Sequence, residues 1–187
     1  MRGKKQERIL RVMLNNKELS KNEISKQALC SRRWVIQFLQ KLEKKGLVKN
    51  TKILDKKKLI SYWVSISKKL KFRSYMIKEP LELLKKANME YALTTYQAEN
   101  IVQHFLFPSR IDIYIKEADL DGWHSLMTKN GLYGKGNVRI TIEDEHVMYQ
   151  KRVINGLAIV SLPQLIVDLI KEGGPCVEAA EMLMKNV

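Results

Sequence analysis

The 187 residues, 45% of them hydrophobic, leave room for two small domains or one medium one and supply enough apolar material for packed cores. No apolar run approaches the roughly 18–20 residues of a membrane span, and the opening MRGKKQERIL lacks the features of a secretory leader, so a soluble cytoplasmic protein is expected. The net charge of +14 is one-sided: residues 1–78 hold 23 Lys/Arg against 5 Asp/Glu, whereas residues 79–187 hold 11 against 15. Positive potential gathered in one half is the footprint of nucleic-acid binding, and no amphipathic basic helix favours a membrane instead.

In chain order, Ile9, Val12 and Met13 make an apolar stripe on a first helix over about residues 4–15. Ser20-Lys-Asn-Glu23 is a capping box opening a short second helix, with Leu19 and Ile24 spaced as a hydrophobic staple. After a turn at Leu29-Cys30, Ser31 caps a third helix that runs to about Lys45 and stops at Gly46. Val35, Phe38, Leu39 and Leu42 form its buried stripe, while Arg32, Arg33, Gln37, Gln40, Lys41 and Lys44 fall largely off it. Short helix, tight turn and basic third helix is the helix-turn-helix order, whose last helix enters the major groove. The β-prone runs Leu47–Lys52 and Leu59–Val64, joined by Asp55-Lys56-Lys57-Lys58, are expected to pair as a wing hairpin with lysines at its tip.

Residues 65–79 (SISKKLKFRSYMIKE) read as a basic connector, with a continuing strand followed by a linker as the alternative. The second half then alternates helices and strands: a helix from Pro80, a strand over Tyr91–Thr94, and a helix opened by a capping box at Thr94–Gln97. A strand over Ile111–Ile115 and a helix around Ala118–Lys129 follow. A strand through Val138, Ile140 and Ile142 comes next, then a hairpin of Val147–Val153 and Leu157–Val160 turning at Asn155-Gly156. A helix from Ser161 to Gly173-Gly174 and another from Pro175 to about Lys185 finish the chain. The fold class expected is α+β: a winged helix-turn-helix domain over residues 1–66, a basic linker over 67–79, and a C-terminal α/β domain with a small mixed sheet over 80–187.

Catalytic signatures are absent from the sequence. His104, His124 and His146 are scattered, no HExxH or G-x-S-x-G occurs, and Gly134-Lys135-Gly136 lacks phosphate-loop spacing. Asp112 on its strand lacks the Gly-Ser turn and paired acid of a nucleotidyltransferase. Glu143–His146 reads as a solvated hairpin turn, and Cys30 and Cys176 as unrelated buried thiols. No catalytic residue, metal or cofactor is expected.

Leu39–Val48, LQKLEKKGLV, resembles the end of the recognition helix and the start of the wing in winged-helix repressors. In the second half, Tyr91–Ala98 (YALTTYQA), Ile111–Ile115, Val160–Leu169 (VSLPQLIVDL) and Glu178–Leu183 (EAAEML) resemble the AbiEi family, antitoxins of type IV toxin–antitoxin systems. That resemblance implies operator binding in negative autoregulation and a nucleotidyltransferase-like toxin as partner. The residues by themselves point to double-stranded DNA. Ser31, Arg32, Arg33 and Gln37 lie at the base-reading end of helix three, and Lys41, Lys44, Lys49, Lys52, Lys56, Lys57 and Lys58 lie toward phosphates. A homodimer is the expected operator-binding form. The competing readings are a degenerate nucleotidyltransferase or nuclease, and a winged-helix module of a mobile-element replication complex.

Overall fold

The computed structural model describes residues 2–68 and 70–185. The chain begins with three helices, α1 (Arg2–Asn15), α2 (Lys21–Gln27) and α3 (Arg32–Lys44). Ser20 caps α2 reciprocally: Glu23 N–H donates to Ser20 Oγ at 3.2 Å and Ser20 N–H to Glu23 Oε2 at 2.7 Å. Ser31 caps α3, accepting from Trp34 N–H. The apolar stripes converge as spacing dictates, with Ile9, Leu10, Val12 and Met13 buried against Ile24, Val35, Phe38, Leu39 and Leu42.

The structure departs from expectation after Gly46. The hairpin is minimal: β1 (Val48–Lys49) and β2 (Lys52–Ile53) pair antiparallel around Asn50-Thr51. Leu59–Val64, expected as the second wing strand, belongs instead to a helix, α4 (Lys56–Ile66). Two forces outweigh the β propensity of that run. Asp55 caps the helix by accepting from Lys58 N–H at 3.0 Å, and Leu59, Ile60 and Trp63 bury one helical face.

The expected linker over 67–79 is also corrected, because it contains β3 (Phe72–Ile77), an inner strand of a mixed seven-stranded sheet. The other strands are β4 (Tyr91–Thr94), β5 (Ile111–Ile115), β6 (Gly131–Tyr133), β7 (Val138–Ile142), β8 (Arg152–Ile154) and β9 (Leu157–Ile159). Their order is β6-β3-β7-β5-β4-β9-β8, parallel at β7/β5 and β4/β9 and antiparallel elsewhere. The sheet exceeds the small one expected because β3 and β6 join it. Asn155 and Gly156, both at positive φ (51° and 76°), form the predicted β8–β9 turn. Helices α5 (Pro80–Lys86), α6 (Thr95–Gln103), α7 (Leu120–Asn130), α8 (Leu162–Glu172) and α9 (Pro175–Met184) complete the described fold.

The two halves meet through α1 and α4 packed on α8. Glu143–His146, expected as a solvated turn, lies in this contact. A short 3₁₀ turn over Glu145–Met148 occupies the start of the predicted strand Val147–Val153. Arg8 grips Asp144 with two parallel bonds, Nε–Oδ1 at 2.9 Å and Nη2–Oδ2 at 2.6 Å. Burial alone would raise the Asp144 carboxyl, but Arg8, the His146 amide and the charge of Lys4 together hold the group below its usual value. Arg11, only 3% exposed, donates through Nε and Nη2 to Gln164 Oε1 at 2.9 and 2.7 Å. Its Nη1 lies 3.0 Å from His146 Nδ1, and its guanidinium sits over the Trp63 ring at 5.4 Å. His146 Nε2 in turn lies 2.9 Å from the Gln27 carbonyl, which fixes the proton on Nε2 and leaves Nδ1 as acceptor for Arg11.

Arg11→Ala strands the Gln164 amide oxygen in the interior and opens a cavity beside Trp63. It should cost about 2–4 kcal/mol in urea unfolding, and a loss below about 0.5 kcal/mol would contradict the contact. A second expectation concerns acid. Burial pushes the His146 imidazole down from 6.5 to about 4. The unfolded chain therefore takes up a proton across that window that the native one refuses, and stability falls as the pH drops from 6.5 toward 4. The stability advantage of wild type over His146→Asn should shrink over this range by on the order of 1–3 kcal/mol; a difference that stays level with pH would refute it.

Candidate nucleic-acid interface

The buried stripe of α3 turns the opposite side of that helix to solvent. Arg33, Gln37, Gln40 and Lys44 follow one another at intervals of four, three and four residues, so they share one outward row with Lys41 beside it. All four are exposed. Arg32 is exposed on the flank of the helix rather than in the row, and the Ser31 hydroxyl is engaged in capping. Gln40 belongs to the row as fully as Gln37. Its signal in the sequence was the same helical spacing.

The end of α3 fixes where the hairpin emerges. Leu47 N–H donates to Leu42 carbonyl at 3.0 Å and Gly46 N–H to Glu43 carbonyl at 2.9 Å, a Schellman closure with Gly46 at φ 67°. Glu43 Oε1 then accepts from Asn50 N–H at 3.0 Å, tying the hairpin turn back to the helix. Lys49 and Lys52 face one another across the β1–β2 pair, both exposed. Lys56, Lys57 and Lys58 are exposed too, but they stand in the first turn of α4 rather than at a hairpin tip. Each sequence-predicted residue is thus on the surface of the N-terminal helices and hairpin, with the lysines divided between β1–β2 and α4.

The charges on this surface are little neutralised. Among the described residues, of Arg32, Arg33, Lys41, Lys44, Lys49, Lys52 and Lys56–Lys58, only Lys58 has a carboxylate within 4 Å, Asp55 at 3.5 Å. The two nearby acids serve backbone amides, Glu43 at Asn50 and Asp55 at Lys58. Exposed cations without partners can release counterions when a polyanion arrives, which is the driving force of phosphate binding. Not every basic residue of the first 78 is available: Arg8 and Arg11 are consumed in the contact with the sheet body.

Trp34 is half-buried and packs on the core, and Lys45 lies 5.7 Å over the Tyr62 ring. On the sheet, both Asp112 oxygens accept from Arg110 Nε at 2.9 Å, and Oδ2 also accepts from the Thr95 hydroxyl. Cys30 and Cys176 are buried free thiols. Among the described residues no helix is long and apolar enough to cross a membrane, and no group of three or more His, Cys, Asp or Glu side chains is placed to hold a metal ion. Searches against family models, curated proteins and solved structures returned no match.

Gly46→Ala places a side chain at positive φ, where nothing lies within 4 Å to clash. The cost is therefore backbone strain alone, about 1 kcal/mol, read as a lowered urea midpoint. A midpoint at or above that of wild type would mean that this turn is not held in the left-handed region.

Proposed function

We propose that this chain is a DNA-binding transcription regulator of the winged helix-turn-helix kind, with α3 docked in the major groove and β1–β2 serving as a short wing. The observation that carries the reading is the outward row Arg33, Gln37, Gln40 and Lys44, set opposite the buried stripe of α3 and flanked by exposed lysines with almost no acidic partners. Arg33 and Gln37 lie toward the N-terminal end of α3, where base edges are met. Arginine suits guanine and glutamine suits adenine in the major groove. Lys41, Lys44, Lys49, Lys52 and the α4 trio Lys56–Lys58 are assigned to phosphates, with Ser31 and Arg32 at the entry to the groove. In this reading the trio, in the first turn of the helix that follows the hairpin, takes phosphate contacts that a long basic wing would otherwise make.

The resemblance of the second half to AbiEi antitoxins extends the proposal to an autoregulatory repressor. It would act as a homodimer on operator DNA and engage a nucleotidyltransferase-like toxin through the sheet body. Cytoplasmic location and the absence of catalysis belong to the same reading.

Fluorescence anisotropy with labelled duplexes tests it. Affinity should fall steeply with NaCl, by about 0.9 log unit per released phosphate contact for each tenfold rise in salt, and Lys49→Ala/Lys52→Ala should flatten that slope. Arg33→Ala should reduce discrimination between the preferred site and random duplex by about 1–3 kcal/mol. Failure to bind duplex DNA in dilute buffer, or binding indifferent to salt, would overturn the proposal. A uniform loss across sequences for Arg33→Ala would reassign that residue to phosphate.

A further inference from the structure

A crevice of about 530 Å³ opens on the sheet body, away from the basic row, between α8, the segment joining α4 to β3, and the face of β3, β7 and β5. Its floor is polar yet buried. Asp168, 4% exposed, accepts from Thr94 Oγ1 at 2.6 Å, Gln164 Nε2 at 2.9 Å and Tyr114 Oη at 3.0 Å. Burial pushes this carboxyl up to about 6 against the pull of those hydrogen bonds. Beside it lie Asp112 and Thr95, the latter at φ 50°, a conformation that β-branched residues rarely adopt. The Thr94 hydroxyl, expected to cap α6, is thus turned instead onto Asp168, and that of Thr95 onto Asp112.

The rim has the opposite character. Arg139 lies 4.4 Å over the ring of Phe72, which remains 47% exposed. Among the described residues neither Arg139 nor Lys171 has a carboxylate within 4 Å, whereas Arg110 is committed to Asp112 and Glu172. Lys171 Nζ donates to the Lys68 carbonyl at 3.1 Å, so the crevice offers two cations without carboxylate partners, an exposed aromatic ring, and a floor of hydroxyls and carboxylates, which match the parts of one ligand class. Arginine and lysine take a phosphate, the carboxylates accept from sugar hydroxyls, and the ring stacks on a base. The volume lies within the range of small-molecule sites.

We propose that this crevice is a binding site for a nucleoside monophosphate, its phosphate held by Arg139 and Lys171 and its base against Phe72. The site is wired to the N-terminal helices. From Asp168 a continuous chain of hydrogen bonds passes through Gln164 to Arg11, through Arg11 to His146, and from His146 to the Gln27 carbonyl at the end of α2. A ligand that competes for Asp168 is therefore felt at the helix preceding α3, which makes the crevice an effector site if the regulator reading holds. The binding itself does not depend on that reading.

The test is calorimetric titration of the full chain with AMP, GMP, CMP and UMP in moderate salt and without DNA. At least one should bind saturably with one-to-one stoichiometry, and more weakly by tenfold or more in Arg139→Ala, at a half-buried side chain, and in Phe72→Ala, at an exposed one. Lys135→Ala should leave the affinity unaltered. The ring nitrogens of His146 should shift in NMR spectra when that nucleotide binds. No binding by any of the four overturns the proposal. So does binding that survives Arg139→Ala but is lost in Lys49→Ala/Lys52→Ala, which would place the nucleotide on the basic face. Binding with the His146 nitrogens unmoved would overturn the coupling. Since no DNA is present, these titrations can fail while duplex binding stands, and the reverse.

Discussion

A guanidinium removed from water must recover its hydration from the protein, and Arg11 does so from neutral groups on several elements at once. Gln164 comes from α8, His146 from the 3₁₀ turn and the Trp63 ring from α4. An ion stripped of solvent tolerates few vacant positions around it. The contact is therefore nearly all-or-none: α1 sits where it does only when α4, α8 and the 145–148 turn are in place. Asn15 to Ser161 and Asn16 to Tyr149 extend the same seam along α1. Hydrophobic burial supplies the bulk of the cohesion, but it is indifferent to small rotations. The polar seam is what selects one orientation of the N-terminal helices on the sheet body.

That orientation has a consequence for the surface. One side of α1 is spent on the sheet body, and its apolar stripe packs into the core shared with α2 and α3. The outer row of α3 is then left as the free side of the assembly. The chain divides its basic residues accordingly: Arg8 and Arg11 lock the seam while the cations of α3, the hairpin and α4 stay in water. Charge counted over a stretch of sequence mixes these two uses, and only burial separates them.

The sequence conveyed α2 and α3 well because their signals are local. A capping box, an N-cap serine, a stripe at helical spacing and a terminating glycine all act within a few residues. The failures were of two kinds. In α4, Leu59-Ile60-Ser-Tyr-Trp63-Val carries β-prone residues, and a lysine run before it resembles a loop; the deciding cap, Asp55, is one side chain. In β3, the β-prone Phe72, Tyr75 and Ile77 left a strand only as an alternative to a linker, since the partners that settle it, β6 and β7, lie some sixty residues further on. The candidate face was readable as charge and period. The crevice was not, because sheet registry brings Asp112, Arg139 and Phe72 together and only the packing of α8 on β4 and β5 adds Asp168. The capping motif at Thr94–Gln97 even pointed the Thr94 hydroxyl elsewhere.

The position of β3 bears on how the protein comes into being. The strand is made early yet has nowhere to dock until residues 131–142 have emerged. Non-local pairing of this sort is slow to nucleate, because a long loop must close before any contact rewards it. The nascent chain therefore carries an unpaired strand, Phe72 and Met76 among its residues, behind helices that can already collapse. A fragment ending at residue 79 would keep that strand with no neighbours, an edge open to pairing with other copies; one ending at residue 66 would omit the strand altogether.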